Sequence, residues 1–323
     1  AVRRSGEFAY LIDSSRVCVH MIGNYPGLNP FLFFSLNRLI AKISPTIIQT
    51  WSTQMDIIGG TAALFSRIPW IATERTSLEF YNMHRRSFYN FLRRKIMSFS
   101  STIVANSAEG AEMWKKISPY TPVFCVMNGV DFEGIKRITS STDIVNGGSH
   151  VLMVGRLIDS KGFFQVVDAI PGLSNNLDLK FKIIGQGPLA DDLIAQIEKL
   201  NLSERVQLIQ DHSEWWAELR NAKLLISMSR FEGTPNVALE TAASGCPILL
   251  SEIPAHQEIF NNDSAVFVEL DNRYELIKAI EDLFGDYCGA KKRAIKAKEI
   301  VMKMSVVEMA DLYGTIYEKF SEQ

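Results

Sequence analysis

The feature that most constrains the fold is a rhythm. Short apolar, β-branched runs alternate with helix-patterned stretches in two successive series, with a polar break between them. The first series passes through 17–22, 37–43, 47–50, 59–66, 70–73, a helix over 81–99, then 102–106, a helix over 108–116, and 123–127. The second passes through 151–154, a helix over 163–169, 180–184, a helix over 189–200, 206–209, 213–220, 224–227, 236–244 and 247–250. Strands separated by helix-length segments pair through crossovers, so each series reads as a parallel sheet with helices on both faces. Residues 138–150 are small and polar around Gly147-Gly148 and read as a linker. The expectation is two doubly wound α/β domains facing across a cleft; 323 residues is also long for one core. The expected divisions are residues 1–140, residues 141–305, and a closing helix at 306–323 that packs back toward the first domain. The tail over 274–320 is helix-patterned almost throughout, with interruptions around Gly285 and Gly289.

Charge and cysteine usage narrow the function classes. The formal net charge is −2, which argues against a dedicated nucleic-acid binder, because phosphate affinity needs a surplus of Lys and Arg. No uninterrupted apolar run reaches the ~18–20 residues of a membrane span. Cys18, Cys125, Cys246 and Cys288 stand singly and the five histidines are dispersed, so no metal site is built from local sequence and a reduced, cytoplasmic compartment is expected. The chain begins with Ala1 and shows no charged-then-apolar export pattern. Residues 1–145 hold 16 Lys/Arg against 10 Asp/Glu, whereas residues 146–323 hold 18 against 26. A basic first half suits an anionic partner such as the inner phospholipid surface of the cell membrane. Within it, the 81–99 stretch sets Tyr81, Phe88, Phe91, Leu92, Ile96 and Phe99 at helical spacing, with Arg85, Arg86, Arg93, Arg94 and Lys95 between them. The aromatics are expected to face the core and the arginines to stay solvated, where they can meet an anionic membrane.

The chemistry concentrates in two stretches. Residues 231–240 place Thr234 as an N-cap and Pro235 as a first helical residue, so a helix starts there with unpaired backbone N–H groups, which is an anion site. Glu232 precedes that start and Glu240 lies more than one turn inside it, so the two carboxylates do not cap the same amides. A carboxylate beside an anion-binding helix end is costly without a partner, and sugar hydroxyls with a neutralising Arg or Lys nearby are the expected partner. The alternative is two surface glutamates around an ordinary cap. Residues 151–162 supply a strand, a turn at Gly155, and then Arg156 and Lys161 five residues apart. Two cations at the strand's C-terminal edge can offset a diphosphate without a metal; for either alone, solvated surface is the alternative. Trp215 and Trp216 follow the 206–209 run in a loop expected to border a nucleotide, with one of them packing into the core. Cys246 is assigned no chemistry.

In order and spacing these stretches resemble the retaining family 4 glycosyltransferases of the GT-B fold, which has two Rossmann-like domains. The matching pieces are Gly155-Arg156-Leu157 with Lys161-Gly162, then Ile183-Ile184-Gly185-Gln186-Gly187-Pro188, the Glu-x7-Glu pair Glu232 and Glu240, and Ala243-Ser244-Gly245-Cys246-Pro247. Residues 45–51, residues 104–107 and Asn128-Gly129-Val130-Asp131 look like first-domain landmarks. The resemblance implies a nucleotide-diphosphate sugar held mainly by the second domain. Arg156 and Lys161 would contact the diphosphate, Glu240 the ribose hydroxyls and Glu232 the transferred sugar, while Gly155, Gly233, Thr234, Pro235, Asn236 and Val237 complete the cradle. It also implies hexosyl transfer to a saccharide or lipid-linked acceptor with retention of configuration, in cell-surface polysaccharide or glycolipid assembly, without a metal cofactor.

Two departures qualify the resemblance. Many members carry a histidine in the segment matching residues 72–77, where this chain has Arg75; an arginine can hold a sugar oxygen or an acceptor phosphate but cannot act as a base. The family also begins with a strand and a Gly-Gly loop, so about 40 residues of the first domain are expected upstream of this chain's start. Two other functions stay open on the sequence: a nucleotide-sugar-binding module or scaffold without turnover, and a nucleotide-sugar epimerase, which would need acid and base groups not evident here.

Overall fold

The computed structural model describes residues 17–22, 28–75, 87–140, 150–174, 177–210 and 215–321. The chain divides into two compact units, residues 1–126 with 312–323, and residues 127–311. The division falls at 126/127 rather than at 140, so the landmark segment Asn128–Asp131 goes with the second unit. Residues 138–139 are the last turn of a helix and His150 opens a strand, while 141–149 of the expected linker lie outside the described residues.

The first unit holds four parallel strands, β1 (Ile48–Gln49), β2 (Trp70–Glu74), β3 (Thr102–Ala105) and β4 (Val123–Cys125), in the order β1-β2-β3-β4. Every residue of β2 and β3 is buried, as expected of central parallel strands covered on both faces. Helix α1 (Pro30–Ile43) precedes β1; α2 (Thr53–Ser66), α3 (Phe88–Met97) and α4 (Ala108–Ile117) make the crossovers. The runs at 37–43 and 59–66 are only the C-terminal halves of α1 and α2. The signal for the first start is Asn29-Pro30: the Asn29 side chain accepts from Phe31 N at 2.9 Å and proline takes the first helical position. The expected strand at 17–22 does not form. Val17, Val19 and Met21 are exposed, and β-branched residues make a strand only beside a partner.

Helix α3 reverses the expected assignment of faces, and Tyr81, Arg85 and Arg86 lie outside the described residues. Arg93 is 4% exposed, not solvated. Its Nε meets Asp56 Oδ2 at 2.7 Å, Nη1 meets Glu74 Oε2 at 2.9 Å, and Nη2 donates to Thr73 O at 2.9 Å. Trp114 Nε1 also donates to Glu74 Oε2 at 2.9 Å, and Thr50 Oγ1 donates to Asp56 Oδ1 at 2.6 Å. The Glu74 and Asp56 carboxylates hold the Arg93 guanidinium in its charged form despite its burial. Phe88, Phe91 and Phe99 are consequently exposed, while Ile96 and Met97 turn inward.

The second unit holds six parallel strands: β5 (His150–Val154), β6 (Lys180–Ile184), β7 (Val206–Ile209), β8 (Ala222–Ser227), β9 (Ile248–Ser251) and β10 (Val266–Val268). Their order is β10-β9-β8-β5-β6-β7, so the direction of winding reverses between β5 and β8. Strand side chains alternate between faces, and Val151 and Met153 enter one core while Leu152 enters the other. The covering helices are α5 (Phe132–Thr139), α6 (Phe163–Ala169), α7 (Ala190–Lys199), α8 (Asn236–Ser244), α9 (Pro254–Gln257), α10 (Arg273–Gly285) and α11 (Tyr287–Val301). Helix α5 packs on α8, and Val130 bridges Ser305, which ties this segment to the second unit. In the tail the break falls at Asp286, whose Oδ1 accepts from Gly289 N at 2.9 Å, so Gly289 lies inside α11. Helix α12 (Val306–Ser321) follows, and from residue 312 onward the chain belongs to the first unit.

Candidate functional site

In a doubly wound sheet, ligands bind beyond the strand ends at the point where winding reverses. In the second unit that point is the C-terminal edge of β5 and β8, and the sequence has specialised its backbone there. After β5 the chain turns through Gly155 and a short 3-10 segment, Asp159–Lys161, to Gly162, which adopts φ +67° with its Cα against the carbonyl of Met228. A side chain at Gly185, after β6, would collide with the carbonyl of Gly155. Packed this closely, the turn brings Lys161 to Glu232 as an ion pair. Ser229 Oγ donates to the same carboxylate oxygen at 2.7 Å.

Behind Ser229 the support continues into the core. Ser251 Oγ donates to Ser229 O at 2.5 Å, and Ser251 O accepts from His256 Nδ1 at 2.8 Å. His256 is buried, and desolvation holds its pKa below the ordinary value, so it stays neutral with the proton on Nδ1.

Helix α8 begins beside this pair. Its first residue is Asn236, with Pro235 at the N-cap position and not at the first helical position. Thr234 is not the cap because its Oγ1 accepts from Asn128 N at 3.3 Å. Asn128 Nδ2 donates to Asn236 Oδ1 at 2.8 Å, so the 128 segment braces the helix start. Val154, Lys161, Ser227, Glu232 and residues 234–238 line a pocket of about 140 Å³. That volume is small against the ~300–1,000 Å³ of a whole-ligand cleft and suits one charged end of a ligand. A helix start, backed by lysine, attracts an anion through both its free N–H groups and its dipole.

Glu240 lies deeper on α8. Burial pushes its pKa up to about 7; the Trp216 indole, donating to Oε2 at 3.0 Å, pulls it down, and the nearby Asp131 charge raises it. The Trp216 ring lies over Gly134 of α5, so Trp216 serves as a clamp on Glu240, and both Trp215 and Trp216 pack at the margin of the second core. Arg156 is exposed, and its side chain makes no ion pair or hydrogen bond among the described residues. The structure thus joins Lys161, Glu232 and residues 234–237, and leaves Arg156 exposed on the same turn. In the first unit the Arg75 guanidinium lies 4.6 Å from the Trp51 ring centroid. Cys246 is buried with its thiol pushed up to about 12, which leaves it inert.

Ser229 and His256 escape the sequence reading, since nothing local to them marks a role, and Asn128, legible only as a first-domain landmark, instead braces α8. Among the described residues no three His, Cys, Asp or Glu side chains gather as metal ligands, and no helix is long and apolar enough to cross a membrane.

A galactosaminyltransferase from Campylobacter jejuni, named for a diphospho-undecaprenol-linked acceptor, is 24% identical over 289 residues, 87% of this chain and 78% of that protein. An Escherichia coli UDP-Gal:alpha-D-GlcNAc-diphosphoundecaprenol alpha-1,3-galactosyltransferase is 26% identical over 304 residues, 88% of this chain and 78% of its own. The crystal structure of Anabaena HepE in complex with UDP-glucose superposes with a TM-score of 0.82 at 17% identity, covering 97% of this chain and 89% of that one, and shares the fold. The Glycosyltransferase Family 4 model matches residues 1–133, and the model of glycosyl transferases group 1 matches residues 135–300, about half of the chain, a span that includes Lys161, Glu232, Glu240 and the start of α8. The chain therefore belongs to the group 1 glycosyltransferases, with a first half of the family 4 type.

Proposed function

We propose that the chain moves a hexose from a nucleotide-diphosphate sugar to a lipid-linked saccharide, with retention of anomeric configuration, in the assembly of a cell-surface polysaccharide or glycolipid. The observation that carries this reading is the Lys161–Glu232 pair set against the start of α8 at the winding reversal. The diphosphate lies on the N–H groups of that start, with Lys161 and the exposed Arg156 supplying its counter-charge, so the reading calls for no metal ion. Glu232, already neutralised by Lys161, accepts from hydroxyls of the transferred sugar, and Glu240 accepts from the ribose diol.

In the transfer, the bond from the anomeric carbon to the diphosphate oxygen breaks. The bond to the acceptor oxygen forms on the same face, and the acceptor's proton passes to the departing diphosphate. Arg75 offers a contact for an acceptor oxygen or phosphate in the first unit. The lipid-linked acceptors named for the two bacterial relatives support the acceptor class and a place at a membrane surface.

The test is transfer of labelled sugar from UDP-, GDP- and ADP-sugars to undecaprenyl-diphosphate-linked saccharides, with the product's anomeric configuration read by NMR. One donor class should turn over with retention, and Lys161→Ala should lower kcat by about 100-fold, the scale of losing one charge-stabilising donor. An inverted product overturns retention. Nucleotide binding without transfer to any acceptor favours the binding module instead.

A further inference from the structure

We propose that α1, α2 and α3 form a face that docks on an anionic lipid bilayer. This deepens the membrane placement proposed above and is independent of the donor site. The three helices form one layer, with α2 packed between α1 and α3. Their inward residues, among them Leu32, Ile57, Ile58, Ala63 and Met97, already fill the core on that side. Yet Phe31, Phe34, Phe65, Phe88, Phe91 and Phe99 are between 56% and 76% exposed. Two of them share one aromatic cluster, since the Phe33 ring touches Phe34 at 5.7 Å and Phe65 at 6.2 Å. Exposed large aromatics in this number are unusual and mark an interaction surface.

Charge identifies the occupant. On α1, Phe31, Phe34, Arg38 and Lys42 follow helical spacing along one exposed stripe; on α3, Phe88, Phe91 and Lys95 do the same, and exposed Arg67 closes α2. Across residues 28–75 and 87–107 the only carboxylates are Asp56 and Glu74. Both are buried and committed to Arg93. The described face therefore offers apolar rings and positive charge with no exposed negative charge. A second copy docking through the same face would set like charges against like. An anionic bilayer answers both features at once, with rings entering the acyl boundary and cations meeting headgroups.

The experiment is co-sedimentation of the full chain with vesicles of phosphatidylcholine alone and of phosphatidylcholine mixed with phosphatidylglycerol. Binding to the anionic vesicles should be at least about tenfold tighter and fall with salt. The triple variant Phe34→Ser, Phe65→Ser, Phe91→Ser should lose about tenfold or more at an unchanged melting temperature. Because apolar-face variants can misfold, a second set, Arg38→Glu, Lys42→Glu, Lys95→Glu, should abolish the anionic preference, whereas Lys291→Glu on the second unit should leave it intact. Equal binding to both vesicles, no binding, or parent-like binding by folded variants of both sets overturns the proposal. A concentration-dependent dimer that the phenylalanine variant dissolves, without vesicle binding, assigns the face to a second copy instead. Nucleotide titration reports only on the second unit, so failure here and failure of the donor site are separable.

Discussion

Glu240 carries the sharpest conflict between stability and function in the second unit. Desolvation raises its pKa from 4.5 to about 7, against the Trp216 indole that favours the ionised form. The folded state thus holds the proton more tightly than the unfolded chain. The stability this confers is complete below the ordinary value of 4.5 and drains away as pH rises toward about 7. The loss is on the order of 3 kcal/mol. Glu240→Gln keeps an acceptor for the indole and removes the titration. In urea unfolding it should match the parent at about pH 4 and exceed it at pH 8 by up to ~3 kcal/mol. A ribose diol donates to the ionised carboxylate, so nucleotide affinity should rise with pH up to about 7 and then level off. Trp216→Phe removes the donor and should move that midpoint upward, as titration across pH would show.

At the scale of elements, the turn after β5 is where backbone geometry makes chemistry. Gly162 sits in the left-handed region with its Cα pressed on the carbonyl of Met228. Gly162→Ala should cost at least about 2 kcal/mol and displace Lys161 from Glu232, read as a lowered Tm together with lost nucleotide affinity. The motif at 155–162 was legible in the sequence because its glycines and cations are local to one turn. The start of α8 was legible only to within a residue, since the Thr234 hydroxyl is claimed by Asn128, 106 residues away. Helix α3 was readable as a helix but not as to which face is buried. Asp56 and Glu74, 37 and 19 residues earlier, decide that Arg93 turns inward. No periodicity within α3 records their presence.

Over the whole molecule, the two-series rhythm foretold two parallel sheets, because crossover connections impress their length on the chain. The boundary was not legible. Asn128 and α5 follow the last strand of the first series in sequence but pack on α8 and Trp216, so contacts rather than composition set the division. Strand β10, three residues at a sheet edge, is absent from the second series as read from the sequence. Glu232 and Glu240 were found by their spacing, whereas their partners Ser229 and Trp216 became evident only in three dimensions.

The central claim is that the β5–α8 edge of the second unit holds a nucleotide diphosphate, and calorimetric titration of the chain with UDP, GDP and ADP tests it most directly. The account predicts that one of them binds clearly and that Arg156→Ala, Lys161→Ala and Glu240→Ala each weaken it by about tenfold or more, the scale of a lost charged hydrogen bond. A folded chain that binds none of the three, or variants that bind as the parent does, would contradict it.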